Sequence, residues 1–592
     1  MVFNIVTVAG AVIPTICATF FAHVSFPALI LSLKINICQF IYRQSKAQKP
    51  TSRISYDEGV ALIRKFLVHA SHHTVEELQK FTAQWLPHPP SVKVDVIHIE
   101  ENFLLKSAEA IQIQLGKRGI ERVGGKLWWQ WRMHGDELTA EWVEMKSDYN
   151  QRISGKHQEK TIMLYVHGGA YFFGSVNEHR YQLQKHARKL KARVLAPNYR
   201  LAPQYPFPCG LQDCLAIYMY LLTIQDASSI VLAGDSAGGG MILSMLVILR
   251  DQGFSLPAGA ILISPWVDLT HSFPSVAQDN PYDYIPSHGF LHKPSISWPP
   301  PSSDEVLAIE DAIGRSLIDK NSLPKYKETG SKPVVIVDGE PMELKDQIHM
   351  YATNEMLHHP LISPVFQPSL GGLPPLMILT GGGEVLRDEQ IYIAHKAANP
   401  TKYPTGPDFF EDAEQYRLKE LTNRWAPTKV QLQVWSDLCH VAPTLSFTLP
   451  AKYMFRSMAQ FGTWAIAQAQ QVYVDNPDSH DEFYTSSFIG NAGDPLPRFR
   501  NNMIRERVDH HGKITSLEPE SEIAACKLHF SKIGVVNAEM VVKWLTAKLE
   551  NDKKFVTLSK KIQKQRIKEY SESRLSIESK EFPPLTALAC RR

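Results

Sequence analysis

The chain has 592 residues, of which 44% are hydrophobic and 21% charged, and this composition excludes a predominantly disordered protein. The formal net charge is only +3, so charge gives no argument for nucleic-acid binding, and we find no zinc-finger or RNA-binding signature. The length exceeds what one ordinary domain needs and predicts either one large domain with insertions and tails or two domains.

The N-terminal segment is uncharged. Residues 1–33 contain no Asp, Glu, Lys or Arg, and most of them are apolar. At about 1.5 Å per residue, such a segment is long enough to cross a bilayer. No basic residue precedes Lys34, so the segment lacks the basic start of a cleaved signal peptide. We therefore predict a single-pass membrane anchor over residues 1–33, and the basic residues after it favour a cytosolic body.

Residues 34–124 are predicted to form an N-terminal helical region. The apolar spacing of Ser55–Trp85 is helical, and the prolines that follow end it. Two strands are then predicted, at Gly125–Arg132 and Leu138–Met145, on either side of the turn-forming residues 134–136.

From Thr161 onwards, apolar runs of strand length alternate with helical stretches such as Tyr181–Leu190, Leu211–Leu222 and Gly239–Arg250. Continuous apolar strands separated by helices predict an α/β fold with a mostly parallel central sheet that is covered on both faces. The predicted strands are Thr161–Val166, Arg193–Ala196, Ile230–Ala233, Ala260–Ile263, Pro375–Thr380 and Val430–Trp435.

Two segments interrupt or follow this pattern. Residues 271–355 are polar and rich in proline, which predicts a long and partly irregular insertion. Residues 472–592 are predicted to form a C-terminal extension that ends in a basic helical tail. This tail fits either a solvated helix or a helix that docks on an anionic membrane surface. The catalytic core is then predicted over 125–270 and 356–471.

The strongest local motif is Gly234-Asp-Ser236-Ala-Gly238, which directly follows an apolar strand and precedes a helical run. This G-x-S-x-G motif is the nucleophile elbow of α/β hydrolases, in which the serine sits on a tight strand-to-helix turn. Glycines at 234 and 238 relieve crowding in that turn, and the following helix directs its amides at developing negative charge. We predict Ser236 as a nucleophile, although the motif by itself also fits a turn without chemistry.

Upstream, the strand ending at Val166 leads into His167-Gly168-Gly169. The backbone N–H groups of Gly168 and Gly169, together with that of Ala237, are predicted to form an oxyanion hole, where glycine leaves space for an acyl carbonyl. We interpret His167 as a structural residue that shapes this loop.

In an α/β hydrolase the serine is followed along the chain by an acid and then by a histidine. Glu384 and Asp388 both follow the strand Pro375–Thr380 and compete for the acid position, with Glu384 preferred. His440, which follows the last apolar strand, is the predicted general base. No metal or organic cofactor is predicted, because the cysteines are scattered and the adjacent histidine pairs are poor chelators.

The chain resembles the hormone-sensitive-lipase group of α/β hydrolases (α/β hydrolase fold-3), and within it the arylacetamide-deacetylase-like members, including fungal steryl-acetate deacetylases. The resemblance covers roughly residues 125–470 and depends on five ordered motifs. These are His167-Gly-Gly-Ala170, Asn198-Tyr-Arg-Leu-Ala-Pro203 with Tyr205-Pro-Phe-Pro208, Gly234-Asp-Ser-Ala-Gly238, Ser264-Pro-Trp-Val-Asp268 and His359-Pro-Leu-Ile-Ser-Pro364.

The resemblance implies the triad Ser236, Glu384 and His440, the oxyanion hole Gly168, Gly169 and Ala237, and a cap formed by residues before 125. The acid is more often aspartate in this group, although glutamate occurs there. Anchored members are tied to the endoplasmic reticulum, several of them facing its lumen, so the side of the membrane stays open.

We therefore expect a serine carboxylic-ester hydrolase (esterase, lipase or deacetylase) that acts on apolar or lipid-like esters through an acyl-enzyme. The alternatives are a non-catalytic ligand-binding protein on a hydrolase fold and an acyltransferase that uses the same triad. The expected partners are a small hydrophobic ester and, through the N-terminal segment, a membrane; no nucleic-acid partner is expected.

Overall fold

A computed structural model describes residues 3–12, 55–132, 135–155, 161–316, 334–337, 340–404, 424–470, 490–572 and 581–587. Most of the predicted anchor therefore lies outside the described residues. Within the described ranges, no helix combines the length and the apolar character that a membrane crossing requires. Residues 5–12 form a short helix, α1, and Phe3 just before it is buried.

The centre of the molecule is a sheet of 11 strands in the order β1-β2-β4-β3-β5-β6-β9-β10-β12-β13-β11. The run of strands β4-β3-β5-β6-β9-β10-β12 is parallel throughout. The pairings outside this run, β1–β2, β2–β4, β12–β13 and β13–β11, are antiparallel. A separate hairpin consists of β7 and β8. The strands are β1 Val92–His98, β2 Thr139–Met145, β3 Ile162–Val166, β4 Arg193–Pro197, β5 Ile230–Asp235, β6 Gly259–Ile263, β7 Val334–Val337, β8 Glu340–Glu343, β9 Leu376–Gly381, β10 Val430–Trp435, β11 Gly490–Asn491, β12 Met503–Val508 and β13 Lys513–Ser516.

Helices cover both faces of this sheet. The helices after α1 are α2 Tyr56–Ala70, α3 Val75–Thr82, α4 Glu101–Arg122, α5 Lys146–Ile153, α6 Val176–Leu190, α7 Cys209–Ile224, α8 Ala237–Asp251, α9 Pro274–Ala277, α10 Ser303–Ser316, α11 Arg387–Ala398, α12 Leu449–Ala469, α13 Ala524–Lys527 and α14 Ala538–Glu572.

The alternation of side chains along β5 separates two hydrophobic cores. Ile230 and Leu232 belong to one core, whereas Val231 and Ala233 belong to the other. Successive strand residues point to opposite faces, so a strand that is apolar at every position is buried on both sides. The predicted α/β fold is confirmed, and the six strands predicted after Thr161 are all present.

Two features differ from the sequence prediction. The strand predicted over Gly125–Arg132 is wrong, because those residues form turns in which the Glu581 carboxylate accepts hydrogen bonds from the Lys126 and Trp128 amides. The sheet also extends beyond the predicted core of 125–270 and 356–471, since β1 precedes it and β11, β12 and β13 follow it. Those edge strands are short or less apolar, so the sequence pattern gives them little signal.

The insertion and the C-terminal extension pack on each other. The hairpin β7–β8 and the region of α14 share a small hydrophobic core formed by Val335, Leu344, Val536 and Val541. Near the far end of α14, the guanidinium of the buried Arg566 donates to the carbonyls of Ser295, at 2.7 Å, and Ile296, at 2.9 Å.

Candidate active site

The three predicted triad residues lie beyond the carboxyl ends of three parallel strands. Ser236 follows β5, Glu384 follows β9 and His440 follows β10. Ligands of open α/β sheets bind at this edge, because the loops there project from a common end of the strands. Residues separated by up to 204 positions are thereby brought into contact.

Ser236 occupies a strained turn between β5 and α8, with φ 50° and ψ −120°. Its amide donates to the Ile263 carbonyl at 2.9 Å, which fixes the turn against β6. A Cβ atom at Gly238 would lie 2.1 Å from the Val166 carbonyl oxygen, so the elbow requires glycine at that position. A non-glycine residue with positive φ is costly and is found where the surrounding structure imposes it, often at functional sites.

His440 joins the serine to the acid. The Ser236 hydroxyl donates to His440 Nε2 at 2.8 Å, and His440 Nδ1 donates to Glu384 Oε2 at 2.5 Å. The three side chains are buried, with Glu384 fully so. This is the nucleophile–base–acid arrangement in which the base is within hydrogen-bond reach of the proton it takes.

Glu384 is held by several donors in addition to His440. Its Oε1 accepts from the Gly381 amide at 2.6 Å and from the Ser264 hydroxyl at 2.8 Å, while its Oε2 accepts from Gln390 Nε2 at 3.0 Å. Asp388, the competing acid candidate, instead accepts from the Ser275 amide and pairs with Arg387. The geometry therefore places Glu384 and not Asp388 against the imidazole.

A second carboxylate, that of Asp283 in the insertion, fixes the loops of both the acid and the base. Its Oδ1 accepts from the His440 amide at 3.1 Å, and its Oδ2 accepts from the amide of Val385, the residue after Glu384, at 2.8 Å. Sequence analysis missed this residue because it lies in an irregular segment with no recognisable motif. Ser264, by contrast, could have been found, since it opens one of the motifs that carry the family resemblance.

The electrostatic surroundings of His440 favour its protonated form. Burial by itself lowers the pKa of His440, but the carboxylates of Glu384 and Asp283 outweigh that effect and raise the pKa above its ordinary value. An imidazole with a raised pKa is a stronger base for the Ser236 proton. The arrangement thus suits proton abstraction from a hydroxyl.

The glycine loop lies against the elbow. Added Cβ atoms would meet Asp235 Oδ2 at 2.3 Å from Gly168 and the Phe173 carbonyl oxygen at 2.0 Å from Gly169. Gly169 lines the same cavity as Ser236 and His440, whereas Gly168 and Ala237 are not among its lining residues. Ala237 begins α8, whose first amides have no intrahelical acceptor.

His167 packs as a structural residue. Its ring stacks on Tyr199, with centroids 4.4 Å apart, and the Tyr199 hydroxyl donates to the His167 carbonyl at 2.8 Å. Burial lowers the pKa of His167 to about 3, so the ring is neutral.

A further pair missed by sequence analysis is His179 with Asp235. Burial lowers the pKa of His179, but the Asp235 carboxylate outweighs this effect and raises the pKa to about 9.

A cavity of about 460 Å³ opens onto Ser236 and His440. This volume is within the ~300–1,000 Å³ typical of small-molecule sites. Most lining side chains are apolar, and they come from several segments that are far apart in sequence. Examples are Val8 and Val12 of α1, Leu62 and Phe66 of α2, Phe172 and Phe173 after the glycine loop, Tyr284 and Phe290 of the insertion, and Met540 and Trp544 of α14.

Side chains of α1 and α2 form part of the cavity lining. Phe3 packs against Phe66 and Phe81, with ring centroids 6.1 and 4.8 Å away. Within the part of the chain that the structure describes, no group of three or more His, Cys, Asp or Glu side chains is arranged to hold a metal ion.

The chain is similar in sequence to known hydrolases. A sequence model described as alpha/beta hydrolase fold matches residues 163–296 and 319–404. An acetyl-hydrolase from Streptomyces hygroscopicus is 31% identical over 276 residues, which cover 46% of this chain and 71% of the relative. An esterase from Acinetobacter venetianus is 26% identical over 249 residues, covering 42% of this chain and 64% of that protein.

Two solved structures match the chain at 22% sequence identity. A mutant of the esterase E40 shares 22% identity with a TM-score of 0.41, and the match covers 72% of this chain and all of that one. An esterase from the bacterial hormone-sensitive lipase family shares 22% identity with a TM-score of 0.37, covering 71% of this chain and 94% of that structure.

Proposed function

The chain belongs to the α/β hydrolase fold family and is a carboxylic ester hydrolase, and from this premise we propose that Ser236, His440 and Glu384 are its catalytic triad and that its substrates are apolar esters. The observation that carries the proposal is the continuous hydrogen-bonded chain from the Ser236 hydroxyl through His440 to Glu384.

The triad acts in two halves. His440 Nε2 takes the proton as Ser236 Oγ attacks the ester carbonyl carbon, and Glu384 holds the imidazole in the required tautomer and stabilises its cationic form. The amides of Gly168, Gly169 and Ala237 stabilise the oxyanion, for which loss of one donor typically costs ~2.7–4 kcal/mol. The imidazolium then protonates the leaving alcohol, and water activated by His440 hydrolyses the acyl-enzyme and releases the acid.

The lining of the cavity supports apolar substrates. The aromatic rings of Phe66, Phe172, Phe173 and Phe290 all face the space that contains Ser236. Pockets of this kind bind by excluding apolar surface from water, while a few polar groups set the orientation of the ligand. The polar lining includes Ser236 and His440, the two side chains that react with the ester.

The test of the catalytic assignment is a Ser236→Ala variant assayed with p-nitrophenyl butyrate and with a fluorophosphonate probe. We expect both hydrolysis and labelling to be lost. Ser446→Ala is the matched control, because Ser446 lines the same cavity but is not part of the hydrogen-bonded chain Ser236–His440–Glu384. Wild-type hydrolysis by the Ser236→Ala protein would refute the proposal.

Membrane attachment is a separate part of the proposal. It is supported by the lack of charged side chains in residues 1–33, the segment in which we propose the membrane anchor. An endoplasmic-reticulum membrane is the proposed location. Retention of the full chain in the pellet after alkaline carbonate extraction is the expected result, and release into the supernatant would contradict it.

A further inference from the structure

The C-terminal helix α14 and the residues just before it reach the cavity that contains Ser236. Four of their apolar side chains line it, namely Val536, Met540, Val541 and Trp544, and each is at most 9% exposed. These residues lie far beyond 404, where the match to the family model ends. This part of the pocket wall is therefore outside the region that the chain shares with that model.

Polar contacts fasten α14 to the insertion beside the cavity. Lys543 Nζ donates to the Ala277 carbonyl at 2.6 Å, and Asn551 Nδ2 donates to the His292 carbonyl at 3.0 Å. Between these contacts the indole of Trp544 faces Gly289, where an added Cβ would lie 3.4 Å from the ring. Helix α14 therefore packs against the loop between Ala277 and His292, which forms the neighbouring wall of the pocket.

The side chains of α14 divide sharply between the cavity and solvent. Val541 is 3% exposed and lines the cavity, whereas the adjacent Val542 is 42% exposed. Trp544 has the largest side chain that the extension contributes to the lining, and a buried tryptophan covers about 150–250 Å² of apolar surface. Met540 adds a flexible side chain that adapts to different ligand shapes.

We propose, on the basis of the function proposed above, that α14 is a specificity element of the active site. Met540, Val541 and Trp544 contact the part of the ester that lies away from the carbonyl, because they share the cavity with Ser236 and His440 but have no hydrogen bond to either. The substrate class is accordingly an ester with an extended apolar portion, and an acetate with a small alcohol uses only part of the pocket.

The test compares p-nitrophenyl acetate with p-nitrophenyl decanoate for the full-length wild type, Trp544→Ala, Val541→Ala and Val542→Ala. Because one methylene in an apolar pocket changes kcat/KM by roughly 10-fold or more, we expect Trp544→Ala to lower the decanoate-to-acetate ratio at least about 10-fold. Val541→Ala lowers the ratio less, and Val542→Ala leaves it unchanged. Val542→Ala also retains acetate hydrolysis, since Val542 is not among the residues that line the cavity. Trp544→Ala and Val541→Ala lower acetate hydrolysis less than decanoate hydrolysis, because the triad is untouched.

A decanoate-to-acetate ratio that is unchanged or higher in Trp544→Ala would overturn the inference. If Trp544→Ala also loses acetate hydrolysis, Trp544→Leu replaces it: retained acetate activity with a lowered ratio supports the inference, and an unchanged ratio overturns it. Failure of the wild type to hydrolyse either ester would instead refute the proposed function, so the two failures are distinguishable.

Discussion

At the scale of single residues, the site depends on carboxylates that have different tasks. Glu384 contacts the imidazole of His440, whereas Asp283 binds the backbone of the two loops that carry Glu384 and His440. Asp388, although close along the chain, is occupied by Ser275 and Arg387. All three carboxylates are buried, so their hydrogen-bond partners, and not burial or proximity in sequence, separate their roles.

The role of Glu384 predicts a large effect of Glu384→Gln. The amide of glutamine favours the wrong imidazole tautomer, so we expect kcat with p-nitrophenyl butyrate to fall roughly 10⁴-fold. Asp388→Asn serves as the matched control and retains most of kcat. The kcat of each variant is calculated per titrated active site. A larger loss in Asp388→Asn than in Glu384→Gln would assign the acid to the other carboxylate.

Asp283 predicts a change in pH dependence. The base must be neutral to act, so kcat/KM rises as pH increases through the pKa of His440, which Glu384 and Asp283 raise. Asp283→Asn removes one of these charges and moves the acidic limb of kcat/KM to lower pH, while weakened loop contacts lower its plateau.

The control for this experiment is Asp279→Asn, since the Asp279 side chain is 87% exposed. Its pH profile coincides with that of the wild type. If the acidic limb of the kcat/KM profile does not move in Asp283→Asn, Asp283 has only a structural role.

At the scale of elements, α14 is held by one buried arginine. Arg566 is 3% exposed, donates to the carbonyls of Ser295 and Ile296, and lies 3.4 Å from a carboxylate oxygen of Glu305. Removing one partner of a buried ion pair leaves an uncompensated charge, so the cost is larger than for a surface pair.

We expect Arg566→Ala to destabilise the docked helix by about 3 kcal/mol. The fraction of molecules in which α14 is undocked then rises roughly 10²-fold, and the rate of trypsin cleavage within α14 rises with it. Gln565→Ala, at the adjacent exposed position, leaves the cleavage rate unchanged. Equal cleavage rates in both variants would show that Arg566 does not hold the helix.

At the scale of the whole molecule, the C-terminal extension completes the sheet. Strand β12 pairs in parallel with β10, and the buried Glu506 accepts from Gln433 at 2.7 Å and from Gln431 at 3.0 Å. Without the extension, β10 would become an exposed edge strand and an apolar part of the core would contact water. Exposed edges of this kind promote aggregation.

A chain ending at residue 470 is therefore predicted to be insoluble or to aggregate when expressed. Size-exclusion chromatography beside the full-length protein is the measurement. A soluble truncated monomer with an unchanged melting temperature would show that the fold does not require the pairing of β10 with β12.

The sequence by itself determined the α/β class and the six core strands after Thr161, and it predicted Ser236 and His440 as the nucleophile and the base. These features are local, because continuous apolar runs report strands buried on both faces, and glycine-rich turns report where such strands end. The choice between Glu384 and Asp388 stayed open, since both carboxylates follow the same strand.

Only the tertiary structure shows that Glu384 and not Asp388 contacts the imidazole, that Asp283 bridges two loops, and that α1 and α14 line the pocket. Each of these depends on contacts between segments far apart in sequence: Asp283 and His440 are 157 residues apart, and Lys543 and Ala277 are 266 apart. Hydrophobic periodicity reports that a residue is buried, but not against what. The physical reason is that packing partners are selected by the complete fold, and no local pattern encodes them.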